Sequence, residues 1–210
     1  MTIALFGATG KTGREVLSKL LKKGYTVRAL AREPQRLKLN HSSLEVIGGD
    51  VLNIADVQRV VKGVDAVISL FGHVKGSPEH LQTDGTKNIV QAMNEEGVDR
   101  IISLSGGGLP FPSKDKPKLP DKMIRLIMRV FVPKVLNDAI DHAEVLGKSD
   151  LRWTIVRGPR LTMEPEKGNY RVGWVGVNAS TSIGRADLAD FIVNQVEDVK
   201  YVGKMPFVSY

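Results

Sequence analysis

Seven residues near the start of the chain, Gly7-Ala8-Thr9-Gly10-Lys11-Thr12-Gly13, constrain the fold more than any other stretch. Their three glycines stand between an apolar run, Thr2–Phe6, and a segment of helical periodicity. Each glycine answers a separate demand. Gly7 allows a tight turn out of a strand, Gly10 lets backbone N–H groups reach a pyrophosphate with no Cβ in the way, and Gly13 lets a helix lie close to the strand. A helix start adds partial positive charge. Gly7, Thr9, Gly10, Lys11, Thr12 and Gly13 are therefore a candidate phosphate cradle, with a ligand-free glycine turn as the competing reading. A nucleoside-triphosphate P-loop is rejected, because it needs a glycine five residues before Gly10 and Leu5 stands there.

Apolar strands and amphipathic helices alternate from there on. Residues 12–23 place Val16, Leu17, Leu20 and Leu21 on one helical face, and Gly24 stops the helix. Tyr25–Ala31 and Leu44–Ile47 read as strands, Ala55–Lys62 as a helix, and Asp65–Phe71 as a fourth strand. A helix over 84–96, a strand at Arg100–Leu104, a helix over 135–147 and a strand at Leu151–Val156 follow. A last helix at about 185–197 and a short strand near Phe207 close the chain. Near-continuous apolar strands between helices imply a parallel sheet covered on both faces. The expected fold is α/β: a single-domain, Rossmann-type doubly wound parallel sheet over residues 1–210. Gly106–Pro120, with four prolines, reads as a loop leading into an amphipathic piece at 121–132.

Composition narrows the function. With 42% hydrophobic and 25% charged residues, the 210-residue chain is neither disordered nor low-complexity. It has no cysteine, which excludes disulfides, a thiol nucleophile and cysteine-held metals. No two of its four histidines are spaced i, i+4, and no metal site is expected. Met1 and Thr2 lead straight into apolar sequence without a basic start, and no window has the roughly 18 apolar residues of a membrane span. The expectation is a cytoplasmic protein. The formal charge is +7, but residues 113–134 alone hold seven basic and two acidic residues. So localised an excess does not point to nucleic acid.

After the second strand, an acid would favour the free ribose 2′-hydroxyl of NAD. Here Arg32 stands at the strand tip and Arg36 four residues on, with Glu33 between them. Two guanidinium groups favour the 2′-phosphate of NADP(H), unless both are merely solvated. Asp50 and Val51, after the third strand, would meet the adenine amino group and ring. Asp50 would equally serve as the cap of the next turn.

The segments GATGKTG, AREPQR, GDVLN, AVISLFG, TDGTKNIVQAM and RWTIVRGPRL resemble the atypical short-chain dehydrogenase/reductases. They are most similar to the NAD(P)H-binding subgroup that includes biliverdin-IXβ (flavin) reductase, with the NmrA-like proteins as cousins. The resemblance covers 1–105 and 135–165, is weak over 106–134 and loose in the last forty residues. It implies a nicotinamide at the ends of strands four to six. There it would be lined by Leu70, Phe71 and Gly72, by Leu104, Ser105 and Gly106, and by Gly158, Pro159, Arg160 and Leu161.

The Tyr-x-x-x-Lys pair of the wider superfamily is absent: Ala29, Trp174 and Met205 stand four residues after Tyr25, Tyr170 and Tyr201, and Tyr210 is terminal. Gly106 replaces a hydroxyl residue of the subgroup and Arg160 a histidine, which argues against biliverdin itself. The expected function is an NADPH-dependent oxidoreductase passing hydride to a planar acceptor such as a flavin, quinone or tetrapyrrole. The alternative is a non-catalytic NmrA-like NADP(H) sensor. Ser105 would hydrogen-bond the acceptor or the carboxamide, or only the backbone at a strand end. Arg160 would hold or steer negative charge, or form a salt bridge at the sheet edge. Glu144, on the helix where the tyrosine pair would stand, would orient substrate or face water. Segment 106–134 is expected to be a lid with a solvated basic side, with membrane-surface contact through 121–132 as the other possibility.

Overall fold

The computed structural model describes residues 1–210. Strand β1 (Thr2–Phe6) leads through the glycine loop into α1 (Lys11–Lys22). Next come β2 (Thr26–Ala31), a single 3-10 turn at Pro34–Arg36, β3 (Leu44–Gly48), α2 (Ile54–Val61) and β4 (Ala66–Ser69). Then follow α3 (Leu81–Glu96), β5 (Arg100–Gly106), α4 (Leu119–Phe131), α5 (Pro133–Gly147) and β6 (Arg152–Gly158). The last third contains β7 (Arg160–Thr162), β8 (Arg171–Gly173), β9 (Ser182–Gly184), α6 (Arg185–Asn194) and β10 (Phe207–Ser209).

Eight strands form one sheet in the order β3-β2-β1-β4-β5-β6-β10-β8, parallel except for β8. Strands β7 and β9 pair separately, also in parallel. Strand residues alternate between two cores, as a two-residue period requires. Ile3 and Leu5 join α1 and α6 on one face, through Leu17, Leu20, Leu188 and Ile192. Ala4 and Phe6 join α2, α3 and α5 on the other, through Val57, Ile89, Met93 and Leu146. Each fully buried aliphatic side chain contributes roughly 1.5–3 kcal/mol. The chain therefore has a doubly wound Rossmann-type fold, and no helix is long and apolar enough to cross a membrane.

The order reverses at β1, where one crossover returns toward β2 and the other toward β4. The crevice beyond the strand ends at such a switch point is where open α/β sheets take ligands.

Several elements differ from expectation. β5 runs through Gly106 and α4 starts at Leu119, so the loop is 107–118. The final helix ends at Asn194, short of 197. β7, β8 and β9 were not expected. Each has three residues, too few to show a periodicity, and they are held by distant groups. The buried Asp187 carboxylate accepts bonds from the N–H of Lys167 and Gly168 and from the Tyr210 hydroxyl, while the Tyr210 N–H reaches Ser182 O. These bonds tie the 163–181 stretch to the body.

Candidate functional site

The glycine loop shows which glycines the fold needs and which it leaves open. Gly7 has φ +85°, and a Cβ there would lie 2.7 Å from Leu70 C and Phe71 N. The first loop thus rests directly on the end of β4. At Gly13 a Cβ would stand 2.0 Å from Gly7 O, an impossible contact. Gly10 is different. Its backbone is extended (φ −71°, ψ 164°), and its Cβ would only come 3.3 Å from Gly7 O. The N–H groups of Lys11, Thr12 and Gly13 have no acceptor, and no side chain caps the helix. A helix start with free donors and no acidic residue in its first turn favours an anion.

Arg32 is exposed just past β2 and has no carboxylate within ion-pair distance. Glu33 pairs instead with Arg36, at 3.3 Å. Arg14 was not anticipated. Its guanidinium donates to Thr9 O (3.3 Å) and Arg36 O (2.8 Å), bracing the glycine loop against the 3-10 turn. The one available signal was a basic residue directly after the third glycine. Arg14, Arg32 and Arg36 together make this corner strongly basic.

Asp50 Oδ1 accepts the N–H of Leu52, so its carboxylate does cap the turn, as one of the two readings held. Val51 is buried. Val51 and the Phe71 ring both close on Gly85 of α3, where a Cβ would meet each within 3.0 Å. Leu70 and Phe71 point to opposite sides, Leu70 to the α1–α6 core and Phe71 to the α2–α3 core. Gly72 is exposed.

Register places Ser69 beside Ser103 and Ser105 beside Arg157, so β5 extends past β4 at the switch-point edge. Leu104 faces the α1–α6 core, while Ser105 shares the opposite face with Ser103. Ser103 Oγ is bonded to His142 Nε2 at 2.8 Å. Ser105 Oγ is buried and has no partner at all. Such a group needs a ligand or a water. Gly106 is exposed beside Gly158. Gly158 is closed in by Leu161, Ile183 and Leu188, and Pro159 is half-buried. Arg160 is exposed and forms no ion pair, so the salt bridge at the sheet edge is not found. The edge thus gathers the glycine loop, Arg32, Leu70–Gly72, Leu104–Gly106 and Gly158–Leu161. It does not gather Glu144, which is exposed in the groove between α3 and α5 and paired to Lys148 at 2.6 Å.

Two buried devices fix this edge. Asp138 of α5 accepts the N–H groups of Gln82 and Thr83, at 2.7 and 2.9 Å, and so caps α3 from another helix. His73, in the loop after β4, sits 2.6 Å from the same carboxylate. Burial works against the charged Asp138, but bonds from Thr83, Gln82 and His73 outweigh it and hold the carboxyl below its ordinary pKa. Arg157 of β6, fully buried, makes a two-point bond to Asp115, 2.8 Å on each side, and donates to Leu109 O. It anchors the loop that follows Ser105. Burial likewise opposes the Asp115 charge, and the Arg157 and backbone bonds overcome it.

A Rossmann sheet with an uncapped helix start at its switch point and a basic corner beyond β2 defines a dinucleotide-binding protein. The chain belongs to the NAD(P)H-binding family, whose sequence profile matches residues 7–199. YwnB of Bacillus subtilis is 23% identical over 94% of this chain and 92% of its own. A Mycobacterium tuberculosis protein is 36% identical over 52% of this chain, which spans only 12% of that longer protein. Among solved structures, a short-chain dehydrogenase/reductase from Veillonella parvula in complex with NADP shares the fold. Its TM-score is 0.80 at 18% identity, covering 100% of this chain and 94% of that one.

Proposed function

We propose that this chain is an NADPH-dependent oxidoreductase that reduces a planar acceptor such as a flavin, quinone or tetrapyrrole. The observation that carries the reading is the Ser105 hydroxyl, buried and unpartnered at the end of β5 with no acid or base bonded to it. It is placed to donate to or accept from a bound ring, but no relay leads from it to a proton source. The residues fit a dinucleotide. The free N–H groups of Lys11, Thr12 and Gly13 and the open position above Gly10 suit its pyrophosphate. The unpaired Arg32, with Arg36 and Arg14 beside it, suits a 2′-phosphate over a free hydroxyl. The bound nicotinamide supplies hydride.

Everything else falls to the chain. Phe71, on the same side of the sheet as Ser105, gives that side an apolar wall that limits water, while Leu70 and Leu104 close the opposite side. Ser105 orients the ring beside Phe71. Arg160, free of any partner, steers an acceptor that gains negative charge as it is reduced. Flavins and quinones take their proton from water, so the missing Tyr-x-x-x-Lys pair is no obstacle to them. Part of segment 106–134, the loop 107–118, borders this edge and roofs it. The reading puts the protein's action in the cytoplasm, where NADPH is regenerated.

The test is single-turnover oxidation of bound NADPH by a panel of flavins, quinones and biliverdins. Oxidation by at least one planar acceptor is expected. Tight NADPH binding with no oxidation by any member would replace the reductase by a dinucleotide sensor.

A further inference from the structure

We infer that α4 and its flanking lysines form a docking surface for an anionic membrane, on which the helix lies in the plane of the headgroups. Three residues of α4 are half-buried, Asp121, Arg125 and Met128, spaced i, i+4, i+7 on a single stripe. That stripe faces the body, where the Met128 sulfur fills the space above Gly108. The remaining faces turn outward. Leu119 and Phe131 are each 77% exposed, Val130 64% and Leu126 59%. Leu119, Met123, Leu126 and Val130 form one apolar stripe, and Ile124, Ile127 and Phe131 the next. Lys122 and Arg129 border them on the other flank. A helix of 13 residues measures about 20 Å, enough to lie on a bilayer and too short to cross one.

Charge selects the occupant. Of the two acids in this segment, Asp115 is consumed by buried Arg157 and Asp121 accepts the Lys118 N–H at the helix start. Lys134 is paired with Glu79. Lys114, Lys116, Lys118, Lys122, Arg125 and Arg129 have no carboxylate within 4.0 Å. An apolar face flanked by the unpaired Lys122 and Arg129, with Lys118 at the start of the helix and Lys114 and Lys116 in the loop before it, matches anionic headgroups over acyl chains. A second copy fits badly, because a two-fold interface sets the same patch against itself and brings like charges together. The inference does not depend on the reductase reading, since it concerns adsorption alone.

The test is flotation of the intact protein with vesicles of phosphatidylcholine alone and of phosphatidylcholine mixed with phosphatidylglycerol. Binding to the mixed vesicles only is expected, with release as salt rises from about 0.1 to about 0.5 M. Lys122→Gln and Arg129→Gln should each weaken partitioning about five-fold, as expected for one basic residue at an anionic surface. Leu126→Glu and Val130→Glu change exposed side chains, so their melting temperatures should stay at the parent value while binding is lost. Absence of binding by the parent protein overturns the inference. So does equal binding to both vesicle types, or unchanged partitioning of the four variants. A parent dimer that Leu126→Glu converts to monomer assigns the face to a second copy instead. Shielding of the face on adding NADPH without vesicles assigns it to closure over the chain's own cleft.

Discussion

Two glycines of the first loop should respond to substitution in opposite ways. Gly10 stands in extended geometry that any residue adopts, and a side chain there must displace Gly7 O by only a few tenths of an ångström. Removing a glycine also stiffens the unfolded chain, which is worth about 0.4–1 kcal/mol in favour of folding. Gly10→Val should therefore melt within a few degrees of the parent. Its isopropyl group would occupy the space over the free N–H groups of Lys11, Thr12 and Gly13. Losing two charge-assisted bonds to a phosphate, at about 1.5–3 kcal/mol each, amounts to about 3–6 kcal/mol. The NADPH dissociation constant should then rise by about two to four orders of magnitude. Gly13→Ala is the contrasting case. Its Cβ would stand 2.0 Å from Gly7 O and 2.9 Å from Ala8 Cα, so α1 must move away from β1. A loss of about 3 kcal/mol or more in stability is expected. Thermal melts without ligand and fluorescence titration with NADPH separate the two effects. A stable Gly10→Val that still binds NADPH as the parent does would remove the pyrophosphate from this loop. A Gly13→Ala that melts with the parent would refute the packing argument.

Arg32→Ala should weaken NADPH roughly ten-fold, as befits one exposed charge-assisted contact, and leave NADH almost unchanged; equal parent affinity for both dinucleotides would sink the assignment. Ser105→Ala removes a buried hydroxyl that has no partner. The ligand-free protein should melt at or slightly above the parent temperature, while hydride transfer slows by no more than about ten-fold; a collapse of several orders of magnitude would make Ser105 a proton donor. His142 is pushed down in pKa by burial, so folding favours its neutral form. Its contribution is present above the unfolded histidine value of about 6.5 and is lost as pH falls below it. Asp115 and Asp138 are held below their ordinary values, and their contributions disappear only as pH falls below about 4. His142→Gln should therefore flatten the stability curve below pH 6.5 and leave the more acidic limb in place; urea midpoints across that range check it.

What the sequence made legible here was local. Glycine spacing between a strand and a helix encodes a turn, an approach and a packing contact within seven residues; the turn at Gly7 and the contact at Gly13 appear where expected, and the position above Gly10 is open. Apolar runs marked all six main parallel strands because burial between two layers of helices leaves few polar positions in them. The groups that fix the candidate site are not local. Asp115 meets Arg157 across 42 residues and Asp138 caps α3 across 55, and neither pairing has a spacing signature. A lone arginine in the run Ile155-Val156-Arg157-Gly158 could have warned of one. A cation buried in a strand needs a carboxylate and carbonyl oxygens around it.

The orientation of α4 was beyond the sequence for a different reason. Periodicity divides a helix into faces but does not say which one turns inward. That choice belongs to the surroundings. Helix α4 passes through Val132 directly into Pro133 of α5, and the surface beneath it at Gly108 and Leu136 has room for little beyond Met128. A narrow underside of this kind takes one stripe of side chains and leaves the rest of the helix outside. Apolar residues that a deeper groove would have buried are therefore exposed, beside cations whose neighbouring acids are used elsewhere. An exposed apolar face is costly in water. The same two features, a shallow bed and spent acids, lower the cost of contact with an anionic surface. The vesicle experiment thus tests both the destination of α4 and the packing that left it uncovered.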